Sequence, residues 1–549
     1  MFKMKSTISF VLLLALFAVQ ASAQTSTSRI GGIVTDNNGA VVAGATVTLK
    51  NEATGVESTQ TTTESGVYAF SSIPVGVYTV TVERNGFKKF VKTGNVLEVN
   101  TPLDVNVVLE AGSISETVMV SGGAEQMQTS DATIGNVVEQ KAIEALPLNG
   151  RNPLTLITLE PGVMQRSAGA AGSGIHVNGS RDRAFNVTID GIEANESSVP
   201  NPVSNLYRLT PDNVQEYKVT TNNATAEQGR NSGASVSVAT RSGTNEFHGT
   251  LFYFFRNDSL NSKEFYANAQ DQPKREVRLN QYGFEVGGPI IKKKTFFFGS
   301  FQNNKIDFTQ PIDQSFGIPV VLTQSARQGL LRYLRGSVTL STGQVIARNS
   351  PLLVDPNTGA LRSEVPVCAN ESQTNCVATL NILTGGLVLD PTIQSYISRI
   401  PLPNTYRALN ANIDGLNTAA FLWNPPTQIK GPAIATRVDH NFNDNNSMFG
   451  RYLYSKYNTL KGDPLNGRPQ LFPGDFPPLG EVFRETSNLA LSWRRVISQR
   501  MVNELTVGYA RFNFLFTQGE ANPNFPNILP VDLNLTPVLS RKGHHLPEC

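Results

Sequence analysis

The stretch QYGFEVG at residues 281–287 decides the fold, because its polar and apolar residues alternate one by one. Successive side chains of a β-strand point to opposite faces. Tyr282, Phe284 and Val286 therefore share one face of the predicted strand. Glu285 lies on the other face among glycines, and a charge in that position indicates a surface that meets water.

The same alternation recurs at residues 488–494 and 504–510, and the connections between such segments are of two kinds. Three are tight, at 288–295, 443–446 and 497–501, whereas the others run for tens of residues. Lipid offers no hydrogen-bond partners, so membrane strands pair on both sides and alternate apolar with polar faces. Short periplasmic turns and long outer loops are typical of an outer-membrane β-barrel. Each segment taken alone also fits a strand of a soluble sandwich.

The start of the chain predicts export. Lys3 and Lys5 precede an apolar run at residues 8–19, and Ala-Ser-Ala at 21–23 forms a cleavage site between Ala23 and Gln24. We predict residues 1–23 to be a signal peptide. A net charge of +2 with 16% charged residues excludes a basic nucleic-acid binder and an acidic disordered chain. We expect no nucleic-acid partner.

Cys368 and Cys376 enclose a short polar segment, and an exported compartment permits a disulfide between them. A metal site is the alternative, but two thiolates without a nearby histidine form a poor zinc site. The histidines are scattered in the sequence, and no nucleotide or metalloprotease motif is present. We therefore predict a protein that is not an enzyme, with no catalytic residue, cofactor or metal.

Residues 24–111 predict a small β-sandwich, since short β-branched runs alternate with turns such as Asn-Gly and Pro-Val-Gly. Gly-Ile-Val-Thr-Asp at 32–36, Gly-Val-Tyr-Ala-Phe at 66–70 and Ile-Pro-Val-Gly-Val-Tyr at 73–78 resemble the carboxypeptidase-regulatory-like domain. The resemblance implies a binding or structural module without protease chemistry.

A linker at residues 112–124 follows the sandwich, and its strand-like segment resembles the TonB box of TonB-dependent transporters. The box candidates are Glu116, Thr117, Val118, Met119, Val120 and Ser121. An exposed extended segment of this kind adds as a strand to a partner's sheet. The resemblance therefore implies TonB, with its inner-membrane energising proteins, as the partner. The alternatives are a last strand of the sandwich and an inert linker.

Residues 125–243 resemble the plug domain of the same transporters, particularly of Oar-like receptors, in segments such as Leu-Pro-Leu-Asn-Gly-Arg-Asn at 146–152 and Val-Thr-Ile-Asp-Gly-Ile at 187–192. Residues 244–549 are then an incomplete barrel. The predicted fold is mainly β, with a sandwich, an α/β plug and a partial antiparallel transmembrane β-barrel. Arg151, Arg181 and Arg183 are candidates for ion pairs between plug and barrel, with a solvated surface role as the alternative.

Residues 304–432 form the longest connection, and loops of this length are usually functional. The barrel topology predicts that this connection lies outside the cell, where it is a candidate for ligand capture or for a lid over the pore. The alternative is a loop that only packs over the mouth of the barrel. Its sequence predicts short helices at 323–335 and 391–400.

About seven barrel strands can be counted, and plugged transporters of this kind close with 22. We therefore expect the chain to be an N-terminal portion of a longer receptor. The predicted function is TonB-dependent uptake of an unidentified extracellular ligand across the Gram-negative outer membrane, whose lipid surrounds the barrel. The alternatives are an exported β-rich adhesion or ligand-binding scaffold and a non-functional gene fragment.

Overall fold

The computed structural model describes residues 26–121, 132–165, 175–181, 184–195, 207–229, 232–269, 274–310, 318–384, 388, 390–407, 413–463, 468–499 and 501–517. The predicted signal peptide with its Ala23 to Gln24 cleavage site, Arg183 and Cys549 lie outside these residues. Among the described residues, no helix combines the length and the apolar character needed to cross a membrane.

The N-terminal unit is a β-sandwich whose two sheets enclose one apolar core, which includes Ile30, Phe70, Val80 and Leu97. One sheet has the order β3-β2-β5-β6-β9, and the other has β4-β1-β7 with β8 also paired to β1. The strands are β1 Ser28–Asp36, β2 Thr46–Asn51, β3 Glu57–Thr61, β4 Val67–Ile73, β5 Gly76–Glu83, β6 Lys89–Leu97, β7 Leu103–Asp104, β8 Val107–Leu109 and β9 Thr117–Ser121.

The plug follows as a five-stranded sheet of order β10-β15-β16-β13-β14 with a separate hairpin of β11 and β12. Its strands are β10 Ile134–Glu139, β11 Val163–Gln165, β12 Ile175–Val177, β13 Phe185–Ile189, β14 Ile192–Glu193, β15 Val214–Asn222 and β16 Ala234–Thr240. Its helices are α1 Gln140–Ala145 and the 3-10 segments Asn149–Arg151, Pro153–Leu159 and Ala226–Gln228. Strands β13 and β16 are buried along their whole length, as expected for a sheet covered on both faces.

Three long strands come next, followed by a long insertion and a return to the same sheet. The long strands are β17 His248–Asn257, β18 Val277–Ile291 and β19 Thr295–Thr309, with a 3-10 turn Asp258–Leu260 and helix α2 Phe265–Ala269 between the first two. The insertion holds β20 Val320–Leu322, α3 Gln324–Arg327, β21 Leu330–Arg335, β22 Val338–Thr339, β23 Val345–Ile346, the 3-10 turn Pro351–Leu353, β24 Cys376–Asn381, α4 Pro391–Arg399 and β25 Thr418–Ala420. The return strands are β26 Pro426–Asn443, β27 Asn446–Lys456, β28 Asn458–Leu460, β29 Glu481–Ser498 and β30 Met501–Thr517.

The membrane sheet joins β17, β18, β19, β26, β27, β29 and β30 in chain order, and every pair is antiparallel. The three tight turns lie at one end of it, and the sandwich lies against that end: the Asn245 N–H donates to the Ala53 carbonyl at 3.0 Å, and Arg494 Nε donates to the Ser71 carbonyl at 2.9 Å. This confirms the predicted fold class of sandwich, plug and partial barrel.

The two faces of this sheet differ in chemistry as the alternation predicts. Tyr282 and Phe284 are each 43% exposed on the outer face, whereas Gln281 is 3% exposed on the inner face. Other inner residues that are both polar and buried are Gln302, Asn304, Arg437, Arg451, Ser455, Thr486, Asn488 and Ser492. A soluble sandwich would bury the opposite, apolar face against a second sheet.

The insertion at the outer end of the sheet is a folded unit with two small apolar cores, which contain Leu353 and Val365 in one and Val320 and Ala419 in the other. Cys368 and Cys376 form a disulfide with an S–S distance of 2.03 Å. The predicted helix at 391–400 is present as α4. The predicted helix at 323–335 is wrong beyond Arg327, because Gly329 adopts a φ of 76° and the next six residues pair with β24 as strand β21.

Close approach of neighbouring strands requires a glycine at position 283. A Cβ added to Gly283 would lie 2.1 Å from the Phe301 carbonyl oxygen, which is backbone and cannot turn away. We expect Gly283→Ala to lower the free energy of unfolding by about 1–3 kcal/mol, the usual cost of overpacking. Gly299→Ala is the matched control, because nothing lies within 4 Å of its Cβ position. Denaturant unfolding of both variants in detergent measures the difference, and equal stabilities would contradict this packing.

Candidate functional site between plug and barrel

A buried carboxylate of the plug lies against the inner face of the membrane sheet. Asp190 follows β13 at the turn into β14, where its backbone adopts a φ of 47°. Its carboxylate accepts hydrogen bonds from the Thr240 N–H at 3.0 Å and from the Thr240 hydroxyl at 2.7 Å. Asp190 is 2% exposed. The turn thus directs an anion out of the plug sheet and towards the barrel wall.

Two arginines of the barrel wall surround this carboxylate. Arg451 Nε lies 2.9 Å from Asp190 Oδ2, and a second nitrogen of Arg451 donates to the Ile189 carbonyl at 2.8 Å. Arg437 lies 3.4 Å from Asp190 Oδ1 and 2.9 Å from Asp439. The arginines come from the adjacent strands β26 and β27, where they are register partners. Plug and barrel are therefore joined by charge-assisted hydrogen bonds from two strands.

The charges of this cluster balance, with two carboxylates against two guanidinium groups. Burial alone would raise the pKa of Asp190, but Arg451, Arg437 and the two hydrogen bonds from Thr240 together outweigh it and lower that pKa below its ordinary value. The carboxylate therefore stays ionised. Removing one partner of a buried ion pair leaves a charge without compensation, which costs much more than losing an exposed pair.

A second ion pair links the exit of the plug to the barrel. Arg241 lies directly after β16, and its guanidinium approaches the Glu285 carboxylate at 2.9 Å. Another hydrogen bond runs from Arg241 to the Asp212 carbonyl at 3.3 Å. Glu285 is the charge that the alternation at 281–287 assigns to the inner face. The lumen charge predicted from sequence thus has its partner in the plug.

Arg151 and Arg181, two of the arginines predicted as candidates for ion pairs between plug and barrel, lie in the described part of the chain. Arg151 pairs with Asp212 inside the plug at 2.6 Å and touches the barrel through aromatic rings, 4.5 Å from Phe252 and 4.3 Å from Phe254. Arg181 is exposed. The sequence analysis did not identify Asp190. The available signal is a carboxylate between Val-Thr-Ile and Gly-Ile, because a charge buried at the end of an apolar strand needs a partner.

The segment that resembles a TonB box is the edge strand of the sandwich. Strand β9 pairs in parallel with β6 over five register pairs, from Lys89 with Thr117 to Thr93 with Ser121. The Lys88 ammonium lies 3.3 Å from Glu116 and 3.4 Å from Glu110. The box candidates and the sandwich are thus in direct contact.

The sandwich also contacts the plug through a carboxylate cluster. The Val99 N–H donates to the Glu216 carboxylate, and the Lys218 ammonium donates to the Asn100 carbonyl at 2.9 Å. Burial, with the neighbouring Glu98 and Glu139, raises the pKa of Glu216 to about 7, against the opposing effect of the Val99 hydrogen bond. Burial and Glu139 also raise the pKa of Glu98, against the lowering effect of Lys218. Proton uptake by Glu216 therefore favours the folded chain.

Mild acid is expected to stabilise the folded chain through Glu216. A group whose folded pKa is raised contributes fully below its ordinary pKa, near 4.5 here, and loses that contribution as pH rises through about 7. We expect the unfolding free energy to fall by a few kcal/mol at most between pH 5 and pH 8. Glu216→Gln mimics the protonated carboxyl and should flatten this part of the profile. An unchanged slope in the variant would exclude Glu216 as the group responsible.

The outer end of the lumen carries a basic and aromatic cluster, defined by Arg208, Tyr457, Arg484 and Phe514. The Arg208 guanidinium of the plug lies 4.4 Å from the Tyr457 ring, and the Arg484 guanidinium lies 4.9 Å from the Phe514 ring. Such planar cations suit anionic or aromatic ligands. In the described part of the chain, no group of three or more His, Cys, Asp or Glu side chains is arranged to hold a metal ion.

A plug held by buried ion pairs on the polar face of a membrane sheet defines a plugged outer-membrane β-barrel protein. Comparison with known families agrees. Residues 239–541 match the model described as outer membrane beta barrel domain, residues 128–236 the TonB-dependent receptor plug domain, and residues 29–110 the carboxypeptidase regulatory-like domain. The chain belongs to the outer membrane beta barrel family. The plug domain that it also matches is that of TonB-dependent receptors, which are a class of receptors and transporters and not of enzymes.

The chain is 28% identical over 298 residues to the TonB-dependent transporter Oar of Myxococcus xanthus, a match that covers 52% of this chain and 27% of that relative. The chain thus spans about a quarter of the length of the curated relative it matches. The outer membrane transporter YddB of Escherichia coli aligns with 69% of this chain and 39% of its own, at a TM-score of 0.39 and 10% identity. A mutant of the ferric enterobactin receptor PfeA of Pseudomonas aeruginosa aligns with 69% of this chain and 46% of its own, at a TM-score of 0.34 and 11% identity.

Proposed function

We propose that this chain serves in TonB-dependent uptake of an extracellular ligand across the outer membrane. The observation that carries the proposal is the buried Asp190 carboxylate between Arg451 and Arg437, which seats the plug on the polar face of the sheet. A plug held by ion pairs blocks the lumen at rest. The apolar core of the plug sheet extends to Ala435 and Leu453 of the barrel wall, so a pull on the plug must separate this apolar contact as well as the ion pairs.

The ligand is proposed to bind on the outer side of the plug. The cluster of Arg208, Tyr457, Arg484 and Phe514 lies there, at the outer ends of β27, β29 and β30. The folded insertion at 318–422 lies beside this end of the sheet and is the proposed ligand-capture or lid element. Its disulfide and its two apolar cores give it a defined folded surface, unlike an irregular loop.

The inner side of the plug is proposed to receive force from TonB through the box, residues 116–121. The box precedes the plug in sequence, so a pull on it reaches the plug through the chain. TonB and its inner-membrane energising proteins would supply the work, and no bond of the ligand needs to be made or broken.

The direct test is binding of the purified periplasmic C-terminal domain of TonB to the full chain in detergent. We expect saturable binding that is lost when residues 116–121 are replaced by a glycine and serine sequence of equal length. The matched control replaces residues 369–374, in the disulfide loop at the opposite end of the molecule. Binding that survives the box replacement, or no binding by the unaltered chain, would contradict the proposal.

A further inference from the structure

Strand β9 is part of the sandwich but lies outside the segment that matches the carboxypeptidase regulatory-like domain. The match to the carboxypeptidase regulatory-like domain ends at residue 110, and β9 begins at Thr117. The core cluster of the sandwich extends to Leu109 and includes no β9 residue among those described. The sheet with its core is therefore complete without β9.

The attachment of β9 rests on the main chain. The Lys89 N–H donates to the Glu116 carbonyl at 2.8 Å, and Lys89 is the register partner of Thr117. In a parallel ladder this geometry turns the N–H groups of Val118 and Val120 towards β6 and leaves those of Thr117 and Met119 on the other edge. The side chains add little, since Met119 is 74% exposed and Val120 is 38% exposed.

The chain is guided onto β6 by contacts before β9 starts. The Gly112 N–H donates to the Gly86 carbonyl at 3.1 Å, and Ala111 forms a bridge with Phe87. The Lys88 ammonium bridges Glu110 and Glu116, so one cation holds both sides of this bend. Lys88 is partly exposed, and exposed ion pairs are weak. The attachment is thus specific in register and easily reversed.

We propose that the sandwich stores the box as the fifth strand of one of its sheets, and that the whole box becomes accessible to TonB only after β9 leaves β6. This inference rests on the proposed function. A free extended segment offers both edges and both faces to a partner, whereas docked β9 offers one edge and has Val118 half-buried. The apparent affinity for the partner is the intrinsic affinity multiplied by the fraction of molecules in which β9 is released, so it is low while β9 stays docked.

A reversible cross-link between β6 and β9 tests the inference. Val91 and Met119 are register partners, so the V91C/M119C chain can form a disulfide across the pair. We would make it in a Cys549→Ser background, with each single cysteine variant as a control. TonB C-terminal domain should bind the oxidised chain at least about tenfold more weakly than the reduced chain. The single variants should respond to neither oxidant nor reductant.

A charge reversal at Lys88, in the bend before β9, tests whether release of β9 raises the affinity for TonB. Lys88→Glu places a third carboxylate beside Glu110 and Glu116, and TonB affinity should rise several-fold as β9 is released. Lys50→Glu is the matched control, because Lys50 pairs with Glu57 at 3.4 Å near the far edge of the same sheet. Hydrogen exchange should show slow amides at Val118 and Val120 in the unaltered chain and faster ones in Lys88→Glu.

The outcomes separate this inference from the function on which it rests. A synthetic peptide of residues 112–124 serves as the reference for the box alone. If the peptide binds TonB while oxidised and reduced chains bind equally, storage by the sandwich is excluded and the box assignment stands. If the peptide does not bind, the box assignment fails and the inference falls with it. Fast exchange at Val118 and Val120 in the resting chain would also overturn it.

Discussion

Asp190→Ala is expected to destabilise the chain by about 3–5 kcal/mol, the cost of leaving a buried ion pair without one partner. Arg451 is 1% exposed and would lose its only carboxylate partner among the described residues, while Arg437 would keep Asp439. The strain falls on the contact between plug and barrel, so we expect the plug to become susceptible to protease before the sheet unfolds. Denaturant unfolding and limited proteolysis in detergent measure both effects.

Glu485→Ala is the matched control for that experiment. Glu485 and Lys456 form an ion pair at 3.7 Å between β27 and β29, and both side chains are more than 40% exposed. Its loss should cost less than about 1 kcal/mol. If Asp190→Ala costs no more than Glu485→Ala, the buried cluster does not hold the plug.

Leu491→Arg is expected to cost about 2–4 kcal/mol in a bilayer, the penalty for a cation on the lipid face near the midplane of a barrel. Leu491 lies in the middle of β29 and is 40% exposed on the apolar face. If this position faced water, the arginine would change the stability little, because the side chain is exposed. The penalty therefore arises only if this face meets lipid. Folding yield into vesicles against urea measures it.

Leu380→Arg provides the comparison in the same chain. Leu380 is 53% exposed in the outer insertion, where water surrounds it, and its substitution should change stability by less than about 0.5 kcal/mol. Equal effects of the two arginines would mean that β29 faces water, as in a soluble scaffold protein.

The membrane sheet was predictable from sequence because each strand carries its own signal. Alternation at 281–287 and at 488–494 depends only on neighbours in the chain, and one face of each strand meets a single environment. The tight turns are local as well. These signals place the strands, their two faces and the end of the sheet at which each tight turn lies.

The site between plug and barrel was not predictable in the same way. Asp190 and Arg451 are 261 residues apart, and no local pattern records which lumen arginine meets which plug carboxylate. Arg151 has the charge expected of a lumen partner, yet Asp212 of the plug is nearer to it. The segment at 323–335 has helical residues, but pairing of β21 with β24 outweighs that preference. The docking of β9 on β6 likewise depends on an edge whose residues lie 28 positions before their β9 partners in the chain.

The membrane sheet has a lipid face on its outside and a polar face that carries the plug on its inside. The most direct measurement places single cysteines at residues 488–494 of the reconstituted chain, free of its native cysteines, and labels each with a lipid-soluble and with a water-soluble thiol reagent. We expect residues 489, 491 and 493 to react with the lipid-soluble reagent, while the plug protects residues 488, 490 and 492. Uniform labelling by the water-soluble reagent, or an alternation of the opposite phase, would contradict it.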